Sequence, residues 1–157
     1  MKKQLLAVAV TALAATAAFA QANDTLAKIK SSGAVTLGVR ESSGLGYTLG
    51  NGKYVGFHTE MGERVLADIQ KQLGLAKLEI KYQPVTSQNR IPLVTNGTVD
   101  IECGSTTNSA ARQKEVAFAV TTYVEEVRIA VNAKSGITGI KDLNGKTIVT
   151  TTGTTSV

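Results

Sequence analysis

Val35, Leu37 and Val39 alternate with Thr36 and Gly38, a period of two that predicts a β-strand with one face in a core. The same alternation returns at Leu78, Ile80 and Tyr82 around Glu79 and Lys81, closed by Pro84, and a third short strand is expected at Val99 to Ile101. Between the first two strands, Phe57, Met61, Val65, Ile69 and Leu73 recur every fourth residue, with Leu66 beside them and Gly74 as a stop. That spacing predicts an amphipathic helix with Glu, Arg, Lys and Gln on its outer face. A second helix is expected from near Asn89 to Asn96-Gly97, with Pro92 in the first turn, where a missing N–H costs nothing. Ahead of all these, Asp24 can cap a short helix, Thr25 to Lys30, that Ser31-Ser32-Gly33 terminates. Strand, helix, strand, helix, strand with short links is the pattern of an α/β lobe, three-layered around a mainly parallel sheet with right-handed crossovers.

The rest of the chain is less periodic. Glu41 to Tyr54 is rich in Ser and Gly and predicts a long loop over the sheet's end. Phe118 to Thr122 and Val124 to Val131 read as extended segments, Lys134 to Gly136 as a turn, and Ile140 to Leu143 as a helical turn. Thr147 to Val149 is expected to be a strand that runs into Thr150 to Ser156. Such a strand and loop normally lead into a helix, and none follows, so the expectation is a fragment whose second layer is truncated.

Composition adds an address. Lys2 and Lys3, an apolar run from Leu5 to Ala17 and the small-x-small triplet Ala18-Phe19-Ala20 form an export signal cleaved near Ala20. The run is short of the roughly 20 apolar residues of a spanning helix. Removing the two lysines lowers the formal charge of +5, and the remaining cations are scattered among few aromatics, which argues against nucleic acid. One cysteine, Cys103, cannot close a disulfide within the chain. It is either an inert thiol beside the strand end or half of a bridge to a partner beyond residue 157.

Candidate chemistry gathers after the three strands. The first is followed by Arg40 and Ser42, the second by Thr86, Ser87 and Arg90, the third by Ser105, Thr107 and Arg112. In an open α/β sheet the ligand crevice lies outside the carboxyl ends of the strands, so topology brings these groups together. A guanidinium donates two parallel hydrogen bonds to a carboxylate, and three unpaired arginines in one cleft ask for more than one carboxylate. The helix start near Asn89 and the turn after Ser105 are expected to add N–H groups and a positive dipole end. Arg64 and Arg128 lack such a context and read as surface. Gly104-Ser-Thr-Thr107 is not followed by Lys-Ser or Lys-Thr, so it is no phosphate cradle. With one histidine, His58, read as a capping or surface residue, and one cysteine, there is no metal set, and no cofactor is expected.

Thr86-Ser-Gln-Asn-Arg-Ile-Pro-Leu93, Asn96-Gly-Thr-Val-Asp-Ile-Glu-Cys-Gly-Ser-Thr-Thr-Asn108, Arg112-Gln113 before Phe118, and Asp142-Leu-Asn-Gly-Lys146 leading to Gly153-Thr-Thr-Ser156 closely resemble the periplasmic glutamate/aspartate-binding proteins of ABC importers. The resemblance runs over nearly all of residues 21–157. It implies the type II periplasmic-binding fold, with two α/β lobes closing on a ligand about a hinge. On that pattern residues 1–20 are the signal peptide, 21–125 lobe one, and 126–157 the hinge and the truncated beginning of lobe two.

By position, Arg112, Thr107 and Ser105 would hold the α-carboxylate and α-amino end of L-glutamate or L-aspartate, and Arg40, Ser87 and Arg90 the side-chain carboxylate. Thr151 to Thr155, Thr151 and Thr154 among them, would begin the second lobe's contribution. The implied partner is an ABC permease in the inner membrane, and the complete protein is expected to be a periplasmic monomer. Two places depart from the family pattern: Gly44-Leu-Gly-Tyr47 replaces a proline and aromatics that wall the pocket, and Phe57-His-Thr-Glu60 is a conservative variant of the usual helix start.

The expected activity is binding, without chemistry. The alternatives are an enzyme on the same fold, such as a lytic transglycosylase or a cyclohexadienyl dehydratase, for which Glu102 is the one carboxylate near the strand ends, and the ligand-sensing domain of a membrane receptor.

Overall fold

The computed structural model describes residues 24–156, so the expected signal peptide lies outside the described residues. Helix α1 (Thr25–Ser32) begins where the Asp24 side chain accepts from the backbone N–H of Ala27 at 3.1 Å, and it ends at Gly33 with φ 66°. Strand β1 (Ala34–Val39) follows. Its alternation is realised: Val35, Leu37 and Val39 are all but inaccessible to water and form one cluster with Ile29 of α1 and Leu66 of the next helix. Burying a side chain of that size is worth about 1.5–3 kcal/mol, so these residues anchor the fold.

Residues 41–54 are not a loop. They form a small antiparallel sheet of β2 (Ser42–Ser43), β3 (Gly46–Gly50) and β4 (Lys53–Val55), paired in the order β2-β3-β4 with a register shift between Thr48 and Gly50. Glycines obscured the short alternation of Tyr47 and Leu49, while Asn51-Gly52, both at positive φ, supplied the turn.

Helix α2 (Phe57–Gln72) buries a stripe different from the expected one. Its buried positions are His58, Thr59, Gly62 and Leu66, continued by the partly buried Ile69 and Leu73, whereas Phe57 and Val65 are 49% and 41% exposed. A strict four-residue repeat turns 400° per step and drifts off one face, so the inner stripe mixes steps of three and four. At its centre Gly62 lets the helix approach the sheet: a Cβ there would stand 3.1 Å from both Leu37 Cδ1 and Cys103 Cβ. His58 is likewise buried and not a cap, since Gly56 precedes the helix.

Strand β5 (Glu79–Pro84) pairs with β1 along its whole length, Ala34 opposite Glu79 and Val39 opposite Pro84, and β6 (Ile101–Glu102) pairs on the other edge, Leu37 opposite Ile101. Both pairings are parallel, giving the order β5-β1-β6 and the expected α/β sheet. Helix α3 (Arg90–Thr95) lies between β5 and β6 in the chain. Thr86 and Asn89 set it up by a reciprocal exchange, Asn89 Oδ1 accepting from Thr86 N at 2.7 Å and Thr86 Oγ1 from Asn89 N at 3.2 Å.

Beyond a 3-10 turn at Arg112–Lys114, residues 118–131 form neither helix nor strand, and Thr147 to Val149 is no strand. Val120, Val124 and Val149 stand 85%, 85% and 91% exposed. A strand is a pairing rather than a property of one segment, and these segments have no neighbouring strand among the described residues. The helical turn expected at Ile140–Leu143 is present, with Asp142 Oδ2 accepting from the N–H groups of Thr138 and Gly139.

Candidate functional site

The carboxyl ends of β1, β5 and β6 point the chain the same way, and the parallel register places their following residues side by side. Arg40, directly after β1, donates from Nη1 to the Val85 carbonyl at 2.9 Å and from Nη2 to Ser87 Oγ at 3.5 Å. These bonds tie the end of β1 to the turn after β5. Arg90, the first residue of α3, is only 3% exposed and reaches Ser105 Oγ at 3.5 Å, tying that turn to the loop after β6. Arg112 donates to the Thr107 carbonyl at 3.1 Å and to the Gly153 carbonyl at 2.9 Å. Three guanidinium groups thus stand on three loops at one end of one sheet.

Burial pulls the Arg90 guanidinium below its ordinary pKa; Glu102 opposes that pull, and Arg112 and Arg40 add to it. Glu102, the last residue of β6, moves the other way. Burial raises its carboxyl, against a hydrogen bond from Thr106 and the positive charges of Arg90, Arg40 and Arg112. Its Oε2 accepts from Thr106 Oγ1 at 2.8 Å, while Oε1 is buried with no hydrogen-bond partner. The Nε atoms of Arg40 and Arg90 are also buried and unpaired. Leaving donors and acceptors open in a buried cluster is costly, so this end of the sheet has capacity for a polar ligand.

A second segment lies across the cluster. Thr155 Oγ1 meets Thr107 Oγ1 at 3.2 Å, and the Gly153 carbonyl takes the Arg112 bond already described. Gly153 has φ +79°, and a Cβ on it would fall 2.5 Å from the Ser87 carbonyl oxygen, so only glycine lets the segment seat against the turn after β5. A cavity of about 410 Å³ lies elsewhere, lined by Tyr54, Glu60, Glu63 and Tyr82, and there Tyr82 Oη donates to Glu63 at 2.6 Å. Among the described residues no group of three or more His, Cys, Asp or Glu side chains is placed to hold a metal ion.

Residues 35–150 match the family of bacterial extracellular solute-binding proteins, family 3. The chain belongs to that family. Among relatives of this solute-binding protein, the L-glutamate/L-aspartate-binding protein of Pseudomonas aeruginosa is 47% identical over 84% of this chain and 44% of its own. The glutamate/aspartate import solute-binding protein of Escherichia coli is 41% identical over 96% of this chain and 52% of its own. The chain spans about half the length of the curated relatives it matches. Among solved structures, the solute receptor for L-cysteine of Neisseria gonorrhoeae aligns with a TM-score of 0.52 at 27% identity, over 60% of this chain and 37% of the other.

Of the residues of this solute-binding protein singled out in the sequence, Arg40 with Ser87, Arg90 with Ser105, and Arg112 with Thr107 are brought into direct contact. Thr151 and Thr154 bond to each other, Thr154 Oγ1 donating to the Thr151 carbonyl at 2.8 Å, while Gly153 and Thr155 make the contacts to the arginine loops. The helix-dipole contribution expected at Asn89 is not supported, because α3 is only 6 residues long. Arg64 is exposed as expected, and Arg128 pairs at the surface with Glu126. Asp100 is a structural brace: its carboxylate accepts from Thr36 N at 2.9 Å and from Lys28 Nζ at 2.7 Å. Cys103 is a half-buried free thiol whose pKa burial, aided by Glu102, pushes up to about 11.

Proposed function

We propose that the full-length protein carrying this chain binds an acidic amino acid, L-glutamate or L-aspartate, outside the cytoplasm and delivers it to an ABC permease in the inner membrane. The observation that carries this reading is the convergence of Arg40, Arg90 and Arg112 at one end of the parallel sheet. Three guanidinium groups with spare donors suit a ligand with two carboxylates, whereas a neutral amino acid needs one. The names of the relatives from P. aeruginosa and E. coli support the same ligand class.

In this reading residues 1–20 are an export signal, 21–125 form lobe one, and 126–157 are the hinge and the beginning of lobe two. Arg112, Thr107 and Ser105 hold the amino-acid end; Arg40, Ser87 and Arg90 hold the side-chain carboxylate. Thr151 and Thr154 lie in the segment that the second lobe lays over the ligand. Closure about the hinge traps the ligand, and the closed form is what the permease recognises. In the same reading the protein acts as a monomer and performs no chemistry, in keeping with relatives whose names are those of binding proteins.

Isothermal titration of the full-length protein with L-glutamate, L-aspartate, L-glutamine and L-lysine tests this reading. Saturable binding of the two acidic amino acids, lost by at least about a hundredfold in Arg112→Ala, is the expected result. Tighter binding of L-lysine than of either acidic ligand would overturn it.

A further inference from the structure

Two glycines make room for one carboxylate beside the arginine cluster. Glu102 ends β6 opposite Gly38 of β1, and a Cβ on Gly38 would stand 3.3 Å from Glu102 Cγ. A Cβ on Gly104 would collide with Glu102 Oε1 and stand 3.2 Å from Arg40 Cγ, so the carboxylate and the Arg40 stem flank the same glycine. Thr106 Oγ1 donates to Oε2 at 2.8 Å and holds the group in this niche. On either side of Thr106, Ser105 meets Arg90 and the Thr107 carbonyl takes a bond from Arg112. The loop that meets two of the arginines therefore also grips Glu102.

Glu102 forms no ion pair with Arg40, Arg90 or Arg112, although all three charges act on it. Its Oε1 is buried, so this oxygen acts on a ligand through its charge and not by touching it. An acidic amino acid carries two carboxylates and an ammonium. Three guanidinium groups attract the carboxylates and repel the ammonium, and in a partly buried site that repulsion is poorly screened. A fixed negative charge among them offsets it.

We propose that Glu102 is a specificity residue of this site: its charge makes the cluster favour a dicarboxylate that carries an ammonium over a bare dicarboxylic acid of the same length. The proposal rests on the reading of the site as one for acidic amino acids, and it deepens that reading from two carboxylates to the whole charge pattern of the ligand. Three guanidinium groups alone select for negative charge; the carboxylate among them selects for an amino acid.

The test is calorimetric titration of the full-length protein near neutral pH with L-glutamate and with glutarate, which has the same two carboxylates on the same five-carbon chain and no ammonium. A ligand too weak to titrate directly is measured by displacement. The wild type is expected to bind L-glutamate more tightly than glutarate by at least about tenfold. Glu102→Gln keeps the shape of the side chain and removes the charge, and it is expected to shift the ratio of the two affinities toward glutarate by at least about tenfold; unit charges about 10 Å apart at the effective dielectric of a protein site suffice for that. Thr106→Val removes the hydroxyl and keeps the charge, and its ratio is expected to stay within about threefold of the wild type, whatever the loss of overall affinity. A merely structural role for Glu102 would lower both affinities together and leave the ratio in place.

Glutarate bound as tightly as L-glutamate by the wild type overturns the proposal without any variant. So does a wild-type ratio in folded Glu102→Gln, and so do equal shifts in Glu102→Gln and Thr106→Val, because the ratio would then follow the loop and not the charge. Failure of the wild type to bind either acidic amino acid overturns the reading beneath the proposal as well. Binding of L-glutamate with a ratio that Glu102→Gln leaves unchanged overturns this proposal alone.

Discussion

His58 is 3% exposed, and neither of its ring nitrogens has a hydrogen-bond partner. Burial pulls its pKa below the ordinary 6.5, against the charge of Glu125, so the fold favours the neutral ring more than the unfolded chain does. The contribution is therefore complete above about pH 6.5 and is lost as pH falls from there through the depressed folded value. Urea unfolding midpoints are expected to drop between pH 7.5 and pH 5 in the wild type and to drop less in His58→Gln; parallel pH profiles would show that His58 contributes nothing. This burial was hard to read from sequence, because a histidine at a helix start is as easily solvated as buried and only the tertiary packing decides. Arg90 posed the same difficulty. Arginine is rarely buried, and nothing local to Asn89-Arg90-Ile91 announces it; only the joint placement of three strand ends did.

At the scale of elements, Asp100 joins three of them. Through Thr36 and Lys28 it fastens the start of β6 to β1 and α1, with its own side chain 4% exposed and that of Lys28 47%. Asp100→Ala strands a backbone N–H and is expected to cost about 1–3 kcal/mol of unfolding free energy. Lys28→Ala, at the half-exposed end, is expected to cost less, and denaturant titration of both variants distinguishes the two; the reverse order would show that the ion pair and not the backbone bond is the brace.

The Gly153 segment is a second joint. Gly153→Ala places a methyl against the Ser87 carbonyl at a positive φ and is expected to weaken ligand binding at least about tenfold and to lower the melting temperature of the ligand-free protein. Unaltered affinity would mean that the segment does not seat this way with ligand present.

Elements were legible where a period ran long enough. Val35 to Val39 and the existence of α2 could be read directly, and Pro92 ahead of Asn96-Gly97 marked α3. The face of α2 could not, because Phe57, Met61 and Val65 keep a four-residue step that no straight helix holds on one side. The hairpin over residues 42–55 was hidden by its glycines, and Thr147 to Val149 carries a strand's composition without a strand's neighbour.

At the scale of the molecule, one sheet order explains the site. The order β5-β1-β6, all parallel, sends three chain segments to one end, each carrying one arginine, and those after β5 and β6 add the hydroxyls of Ser87 and Ser105. Only the shared end was readable beforehand; the ties Arg40 to Ser87, Arg90 to Ser105 and Arg112 to Gly153 depend on side-chain paths that no spacing encodes. The chain spans about half the length of its relatives, so the proposed binding is to be measured on a protein of their full length.

The central claim is that Arg90 holds the ligand's second carboxylate. It is tested most directly by calorimetric titration of wild type and Arg90→Ala with L-glutamate and L-glutamine, with melting curves establishing that both proteins are folded. The account predicts that Arg90→Ala loses L-glutamate affinity by at least about thirtyfold while L-glutamine affinity changes by less than about threefold. Equal losses for the two ligands in folded protein would contradict it.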